Sequence, residues 1–309
     1  MRGAAYDDGM RTQPLRDGAV TLADGRTLAY AEYGDLDGAP LVYFHGWPGS
    51  RLEATVLHDE AAARRVRVIA VDRPGYGRST YKPRRRILDW PDDVRQLAAH
   101  LGLRRFAVWG TSGGGPYALA CALKLGAQVE VTGDCSGAPP FARDPSRWRR
   151  IMTRVAHRFG FLVRGYYAVV AWRLRRNPRR TLALTARSFM FSKRDREIWK
   201  NLEFRQGFGE NLLEAFRQGT RALHHDYLLY SSDWGFDVRD VTAKVRLWHG
   251  EADRIVQVRG ARLVAAALPD CDATFYPGEG HFIIVERAGE MLDDLAASRT
   301  AQTREHAGG

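Results

Sequence analysis

Residues 106–115 read FAVWGTSGGG, a short apolar run that leads directly into a serine surrounded by glycines. The run Phe106–Trp109 is rich in aromatic and β-branched side chains, which is typical of a central strand. Gly115–Leu125 then spaces its apolar residues as a helix does, so the glycines lie at a strand-to-helix turn. Small neighbours allow such a sharp turn to expose Ser112 as a nucleophile. The competing interpretation, a phosphate-binding turn at a helix N-terminus, lacks a P-loop lysine and the dinucleotide spacing.

On both sides of this turn, apolar runs suited to strands alternate with helix-like segments. This alternation predicts a parallel sheet covered on both faces. We expect the sheet to begin with a hairpin, because 17–22 and 27–33 flank Asp24-Gly25, a two-residue turn signal. The other predicted strands are 41–44, 66–71, 106–109, 129–133, 245–249 and 273–276, and the predicted helices are 88–101, 115–125, 258–268 and 286–297.

One long block does not follow the sheet pattern. Residues 141–235 consist of Arg-rich and aromatic amphipathic stretches with no clear strand signal. We therefore predict a helical insertion at 141–235 into a core made of 14–140 and 236–298. The terminal segments 1–13 and 299–309 are predicted to be flexible tails.

A serine nucleophile needs a base that is held in one tautomer by a carboxylate. His281 follows the strand predicted to end at Tyr276, and Asp253 follows the strand predicted at 245–249. Both residues should lie at the carboxyl ends of parallel strands, the same edge of the sheet as Ser112. The chain order Ser112, Asp253, His281 therefore predicts a catalytic triad at that edge.

Asp134 is an alternative acid for this triad. It follows the strand after the Ser112 helix, from where a carboxylate could reach the same imidazole. We favour Asp253 because Gly250 and Ala252 allow a tight loop around it. His45 also ends a predicted strand, but we expect it to support the adjoining loop rather than to take part in catalysis.

Acyl transfer also requires hydrogen-bond donors for the negative oxygen of the transition state. The backbone N–H of Gly113, directly after the nucleophile, is one candidate. The second should come from the loop after the third strand, where residues 45–50 read HGWPGS, and we select the N–H of Trp47. The alternative is that these residues form only a glycine-proline turn.

Composition limits the other functional classes. The formal net charge of the 309 residues is +11, which raises the possibility of nucleic acid or lipid as a partner. The basic residues are mostly Arg, are scattered, and accompany no nucleic-acid-binding motif, which argues against nucleic acid. No secretory signal or apolar stretch of about 20 residues is present, so we expect no membrane span and a cytoplasmic location. Three cysteines without metal-ligand spacing suit a reducing compartment, and we expect neither metal nor cofactor.

Five segments together resemble the successive landmarks of the α/β-hydrolase superfamily: HGWPG at 45–49, DRPGYGRS at 72–79, GTSGG at 110–114, HGEAD at 249–253 and GHF at 280–282. The resemblance implies an eight-stranded, mostly parallel sheet with a helical lid inserted after the sixth strand. It also implies that 72–79 shapes a structural turn outside the catalytic set. Ser112 stands where haloalkane dehalogenases and epoxide hydrolases carry an aspartate, which argues against both activities.

The residues and the resemblance together predict a serine hydrolase that acts on a small-molecule ester, thioester, lactone or related carbonyl compound. Alternatives are a carbon-carbon bond hydrolase, a proline iminopeptidase-like peptidase, and a non-catalytic ligand-binding homologue. The loop HGWPG resembles that of proline iminopeptidases, which need lid carboxylates to hold the substrate amine. Glu203, Glu210 and Glu214 are candidates, but the Arg-rich composition of 141–235 favours a neutral or anionic acyl group.

Overall fold

Eight strands form one sheet in the computed structural model of the chain, in which residues 13–140 and 158–307 are described. The strands lie in the spatial order β1-β2-β4-β3-β5-β6-β7-β8. β1 pairs antiparallel with β2, and β2 with β4, whereas every later pair is parallel. The predicted eight-stranded, mostly parallel sheet is therefore confirmed. The strands are β1 (Arg16–Thr21), β2 (Thr27–Gly34), β3 (Ala39–Phe44), β4 (Val66–Val71), β5 (Phe106–Thr111), β6 (Val129–Cys135), β7 (Val245–Gly250) and β8 (Cys271–Tyr276).

The opening hairpin forms, but its turn is longer than predicted. The last paired residues are Thr21 and Thr27, and the Leu22 N–H donates to the Arg26 carbonyl at 2.8 Å. Three residues, 23–25, therefore lie inside the last hydrogen-bonded pair, Leu22 and Arg26, instead of the two that Asp24-Gly25 indicated. The third of them, Gly25, has a φ of +80°, a left-handed conformation that closes three-residue hairpin loops.

The described part of the chain contains ten α-helices. They are α1 (His58–Ala63), α2 (Trp90–His100), α3 (Gly115–Leu125), α4 (Gly160–Arg176), α5 (Pro178–Thr185), α6 (Lys193–Ile198), α7 (Leu202–Ala215), α8 (Arg221–Ser231), α9 (Val258–Ala267) and α10 (Ile284–Ala307). The predicted helices correspond to α2, α3, α9 and α10. Helix α10 continues beyond its predicted end near residue 297, into the segment expected to be a tail. The predicted tail at 1–13 lies almost wholly outside the described residues.

Helices cover both faces of the sheet. Helices α2, α3 and α9 bury apolar side chains such as Val94 and Val264 against one face. Helices α1 and α10 bury Ala61 and Met291 against the other. Each large apolar side chain buried in this way contributes about 1.5–3 kcal/mol relative to an exposed one, so this packing holds the strand ends in register.

Helices α4–α8 follow β6 and precede β7, within the block predicted as an insertion. Their first predicted residues, 141–157, lie outside the described part of the chain. The helices form a separate apolar cluster in which Leu174, Trp199, Phe216 and Leu223 pack with Tyr76 of the sheet domain. This cluster packs the helices against loop 72–79, which follows β4 at the carboxyl edge of the sheet.

Candidate active site

Ser112 lies directly after β5 in a strained conformation. Its φ is +53°, a left-handed value that is uncommon for a residue with a side chain. A Cβ on Gly110 would overlap the carbonyl of Gly114, and a Cβ on Gly114 would overlap the carbonyl of Phe44. The two outer glycines of the motif are therefore required by close backbone approach, which is what lets β5 turn sharply into α3.

His281 and Asp253 lie within hydrogen-bond distance of this serine. The distance from His281 Nε2 to Ser112 Oγ is 3.0 Å, and that from His281 Nδ1 to Asp253 Oδ2 is 2.7 Å. The other carboxylate oxygen of Asp253 accepts backbone N–H groups from Ile255 and Val256 at 2.8 and 2.9 Å. Because Asp253 accepts the Nδ1 proton, the Nε2 lone pair faces the serine hydroxyl. The loops after β5, β7 and β8 thus bring together three residues that are distant in sequence.

The charges of His281 and Asp253 shift the pKa values of both residues in directions that suit proton transfer. Burial opposes a charged imidazole, but attraction by Asp253 and its hydrogen bond outweigh burial and raise the pKa of His281 above its ordinary value. Burial also opposes the charge of Asp253, yet His281 and His249 hold the pKa of this carboxyl well below its usual range. Asp253 is therefore an anion at neutral pH, and it makes His281 a stronger base.

Asp134, the alternative acid, lies elsewhere. Its carboxyl packs against the backbone near Gly115 and Gly137, and within the described residues it makes no hydrogen bond to His281. Burial raises the pKa of Asp134 to about 7, with attraction by His249 opposing that rise. The geometry thus brings Asp253, and not Asp134, to His281.

Trp47 and Gly113, the residues of the two predicted oxyanion donors, lie close together beside the serine. A Cβ on Gly113 would lie 2.7 Å from Trp47 Cβ. The peptide group of each donor is anchored at its carbonyl: Ser112 O accepts from Ala138 N at 2.9 Å, and Gly46 O accepts from Arg73 Nη2 at 3.1 Å. A hydrogen bond at a peptide carbonyl polarises the N–H of the same peptide group and so strengthens it as a donor.

Arg73 has a position that the sequence analysis missed. We placed 72–79 outside the catalytic set, but the fully buried Arg73 guanidinium donates to the carbonyls of His45 and Gly46 and to Asp226 of α8. Arg85 donates to the same carboxylate. Burial opposes the charge of Asp226, but Arg85 and Arg73 prevail and lower its pKa to about 2. The one sequence signal was a basic residue two positions after an apolar strand.

Two further contacts stabilise the loops around the serine. Tyr230 of α8 donates its hydroxyl proton to the Gly113 carbonyl at 2.9 Å. His45, as expected, supports its own loop: it is fully buried, its Nδ1 lies 2.8 Å from Gly46 O, and its Nε2 accepts the Arg73 N–H at 3.2 Å. Burial and the Arg73 charge keep the pKa of His45 well below its ordinary value, so the ring is neutral.

A cavity of about 500 Å³ opens above Ser112 and His281. Its walls are mainly aromatic and aliphatic, with Trp47, Tyr167, Phe204, Phe208, Phe216 and Phe282 among them. Three carboxyl groups also line it, those of Glu53, Asp59 and Glu203, whereas the described lining contains neither Arg nor Lys. Of the lid carboxylates considered from sequence, Glu203 lines the cavity, while Glu214 pairs with Arg51 and Arg217.

No group of three or more His, Cys, Asp or Glu side chains in the described residues is arranged to hold a metal ion. None of the helices seen in the structure is both long and apolar enough to cross a membrane.

Residues 41–294 match the model of the alpha/beta hydrolase family. The chain is an α/β-hydrolase. A non-heme haloperoxidase of Rhodococcus erythropolis is 27% identical to it, over 89% of this chain and 97% of that protein. A proline iminopeptidase of Xanthomonas citri is 34% identical over 116 residues, which are 35% of this hydrolase and 36% of the peptidase.

Solved structures agree with the fold. An esterase from Exiguobacterium antarcticum superimposes with a TM-score of 0.66 at 18% identity, over 91% of this hydrolase and 98% of the esterase. A bromoperoxidase from Bacillus anthracis superimposes with a TM-score of 0.65 at 20% identity, covering 92% and 99% of the two chains. The family match and the relatives confirm the predicted superfamily and the prediction that the chain is a hydrolytic enzyme.

Proposed function

We propose that this α/β-hydrolase cleaves a small-molecule ester, thioester or lactone through an acyl-serine intermediate. The observation that carries the proposal is the hydrogen-bonded series from Ser112 through His281 to Asp253 at the floor of the cavity. Ser112 is the nucleophile, His281 the general base, and Asp253 the residue that orients and stabilises the imidazolium. The N–H groups of Trp47 and Gly113 form the oxyanion hole.

The reaction proceeds in two halves. Ser112 Oγ attacks the substrate carbonyl carbon while His281 Nε2 takes its proton, and the carbonyl oxygen becomes an oxyanion held by the two N–H groups. As the carbonyl re-forms, the bond to the leaving group breaks and His281 returns the proton to that group. Water then attacks the acyl-serine with His281 again as base, which releases the acid and regenerates Ser112.

We also propose that the helical block predicted at 141–235 acts as a lid on a core made of 14–140 and 236–298. Helices α4, α5 and α7 contribute lining residues to the cavity, among them Tyr167, Thr185 and Phe208. Substrate choice would then depend on this block, while the chemistry depends on the strand ends. Exchanging α4–α7 for the equivalent helices of a related esterase, with Asp226 and Tyr230 of α8 left in place, should change acyl-chain preference without removing activity.

A fluorophosphonate probe tests the proposal, because it phosphonylates an activated serine without requiring knowledge of the substrate. Wild-type enzyme should be labelled at Ser112 and should hydrolyse 4-nitrophenyl butanoate. Ser112→Ala should lose both properties while unfolding at the wild-type temperature. Absence of labelling in wild-type enzyme, or equal labelling of Ser112→Ala, would overturn the proposal.

A further inference from the structure

Glu53 lies beside the nucleophile but has no place in the reaction just described. It lies in the short 3-10 helix Arg51–Leu57, and its side chain lines the cavity. This helix follows loop 45–50, which carries the Trp47 N–H and is called the oxyanion loop below. A Cβ on Gly46 would lie 3.4 Å from both Glu53 Oε2 and Ser112 Cβ. The Glu53 carboxyl and Ser112 therefore lie close to the same glycine, and both residues line the cavity.

Glu53 accepts hydrogen bonds at both of its carboxyl oxygens. Its Oε1 accepts from the Tyr43 hydroxyl at 2.8 Å and from the Gly46 N–H at 2.7 Å. Its Oε2 accepts only a long bond, 3.4 Å, from the Asn211 side-chain amide. That amide is oriented by Ser50, whose N–H and hydroxyl both donate to Asn211 Oδ1. One oxygen is thus held firmly, and the other keeps acceptor capacity toward the cavity.

No cationic side chain among the described residues forms an ion pair with Glu53. Burial raises the pKa of this carboxyl even though Gly46, Tyr43 and the more distant Arg73 oppose the rise. The Arg73 guanidinium itself donates to Asp226 and to two backbone carbonyls. Buried charges in proteins are normally paired, so the negative charge of Glu53 is only partly compensated by the protein around it.

The other residues that line the cavity also favour a positively charged ligand. Although the chain carries a net charge of +11, the described lining contains neither Arg nor Lys. Aromatic rings, including those of Trp47, Tyr167 and Phe216, surround the space, and such rings attract cations through their faces. This reverses the expectation of a neutral or anionic acyl group, because that expectation rested on Arg content and not on where the Arg side chains lie.

We propose that Glu53 is the anionic part of a binding site for a protonated amine carried by the acyl group of the substrate. The inference rests on the proposed function, because it places the amine in the acyl moiety attacked by Ser112. An ammonium group has several N–H donors, so one can bond to Glu53 Oε2 while the others meet water or the aromatic walls. Glu53 is then a specificity-determining residue, and the proton transfers remain those of His281.

Matched esters test the proposal. Benzyl esters of glycine and β-alanine differ from benzyl propanoate and butanoate only by an ammonium in place of a terminal methyl group. Wild-type enzyme should show a kcat/KM for the aminoacyl esters that is higher by about tenfold or more, equivalent to about 1.4 kcal/mol. Glu53→Gln should abolish this preference, whereas Glu53→Asp, which keeps the charge, should retain part of it. Glu60→Gln, an exposed position on α1, is the matched control and should keep the wild-type preference.

Two results would overturn the proposal. One is a wild-type preference for the neutral esters, a comparison that needs no variant and so decides the question even if Glu53→Gln fails to fold. The other is an equal loss of kcat/KM for both ester classes in Glu53→Gln, which would assign Glu53 only to support of the Gly46 N–H. In either case fluorophosphonate labelling of Ser112 would persist, whereas loss of labelling in wild-type enzyme would refute the proposed hydrolase mechanism itself.

Discussion

Replacing Asp226 by Asn should both destabilise the protein and slow catalysis. Asp226 is fully buried and is the shared carboxylate of Arg73 and Arg85. Asparagine has nearly the same shape, but it carries no charge and offers donors where the guanidinium groups require an acceptor. The variant therefore leaves two buried cations without an anion, while the packing is otherwise preserved.

The size of the effect follows from the burial. Breaking a buried ion pair by removing one partner costs about 3–5 kcal/mol. The pKa of Asp226, lowered from 3.8 to about 2, independently indicates a stabilisation of about 2 kcal/mol. We expect the larger loss, 3–5 kcal/mol, for Asp226→Asn, because the substitution also leaves the Arg73 and Arg85 side chains without an anionic partner. For a chain of this size, a loss of 3–5 kcal/mol lowers Tm by roughly 5–8 °C.

Catalysis should change through Arg73. Its guanidinium holds the carbonyls of His45 and Gly46, and the Gly46 carbonyl belongs to the peptide group that presents the Trp47 N–H. If Arg73 is held less firmly, kcat should fall by about tenfold with little change in KM. This loss is smaller than the roughly 10²–10³-fold loss of rate that follows complete removal of an oxyanion donor.

Chemical denaturation, scanning calorimetry and ester hydrolysis on the same preparations measure these effects. Arg95→Gln is the control, because the Arg95–Asp92 pair is exposed on α2, and its loss should change stability by no more than about 0.5 kcal/mol. If Asp226→Asn unfolds within 1 kcal/mol of wild type, or keeps full kcat, then Arg73 and Arg85 do not depend on Asp226 and our reasoning about the network is refuted.

Four other predictions follow from the structure. Catalysis requires neutral His281, and Asp253 raises the pKa of this histidine. As pH falls, kcat/KM should therefore decrease with a midpoint above pH 6.5. A midpoint below 6.5 in a pH–rate profile would contradict this. Asp253→Asn should lower kcat by roughly 10⁴-fold, whereas Asp134→Asn should retain activity. Because folding raises the pKa of Asp134 from 3.8 to about 7, this carboxyl costs stability increasingly as pH rises between those values; Asp134→Asn should therefore gain stability relative to wild type over the same range in denaturation experiments. Gly114→Ala should lose about 1–3 kcal/mol in denaturation experiments because its Cβ would overlap the Phe44 carbonyl, while Gly165→Ala, in open space on α4, should gain about 0.5–1 kcal/mol.

The hairpin turn and the oxyanion loop illustrate what local sequence left open. Asp24-Gly25 indicates a turn, but the number of connecting residues depends on the register of β1 with β2, which is a contact between strands. Arg73 reads as part of a structural turn until β4 and β3 are seen to be neighbours, which brings its guanidinium to the carbonyls after β3. Its partner Asp226 comes from a helix about 150 residues later, and no spacing rule links such positions.

The choice between the two acids has the same cause. Asp134 and Asp253 both follow parallel strands, and strand position alone does not say which carboxylate reaches the imidazole. Long-range contacts fix the loop conformations that decide this. They bring His281 Nδ1 to 2.7 Å from Asp253 Oδ2, and they pack Asp134 near Gly115 and Gly137.

By itself, the sequence determined the α/β architecture, the strand-to-helix turn at Ser112 and the histidine after the last strand, because hydrophobic periodicity and glycine spacing are local properties of the chain. Only the tertiary structure decided which acid adjoins His281 and that Arg73 and Asp226 are brought to the carbonyls of His45 and Gly46. It also decided that the cavity of a strongly basic protein is mainly aromatic and aliphatic, with three carboxyl groups and neither Arg nor Lys in its described lining. These features depend on which side chains meet across the fold and on the side of a helix or loop to which each one points. Composition records how many charges a chain carries, but burial and direction determine which of them a substrate encounters.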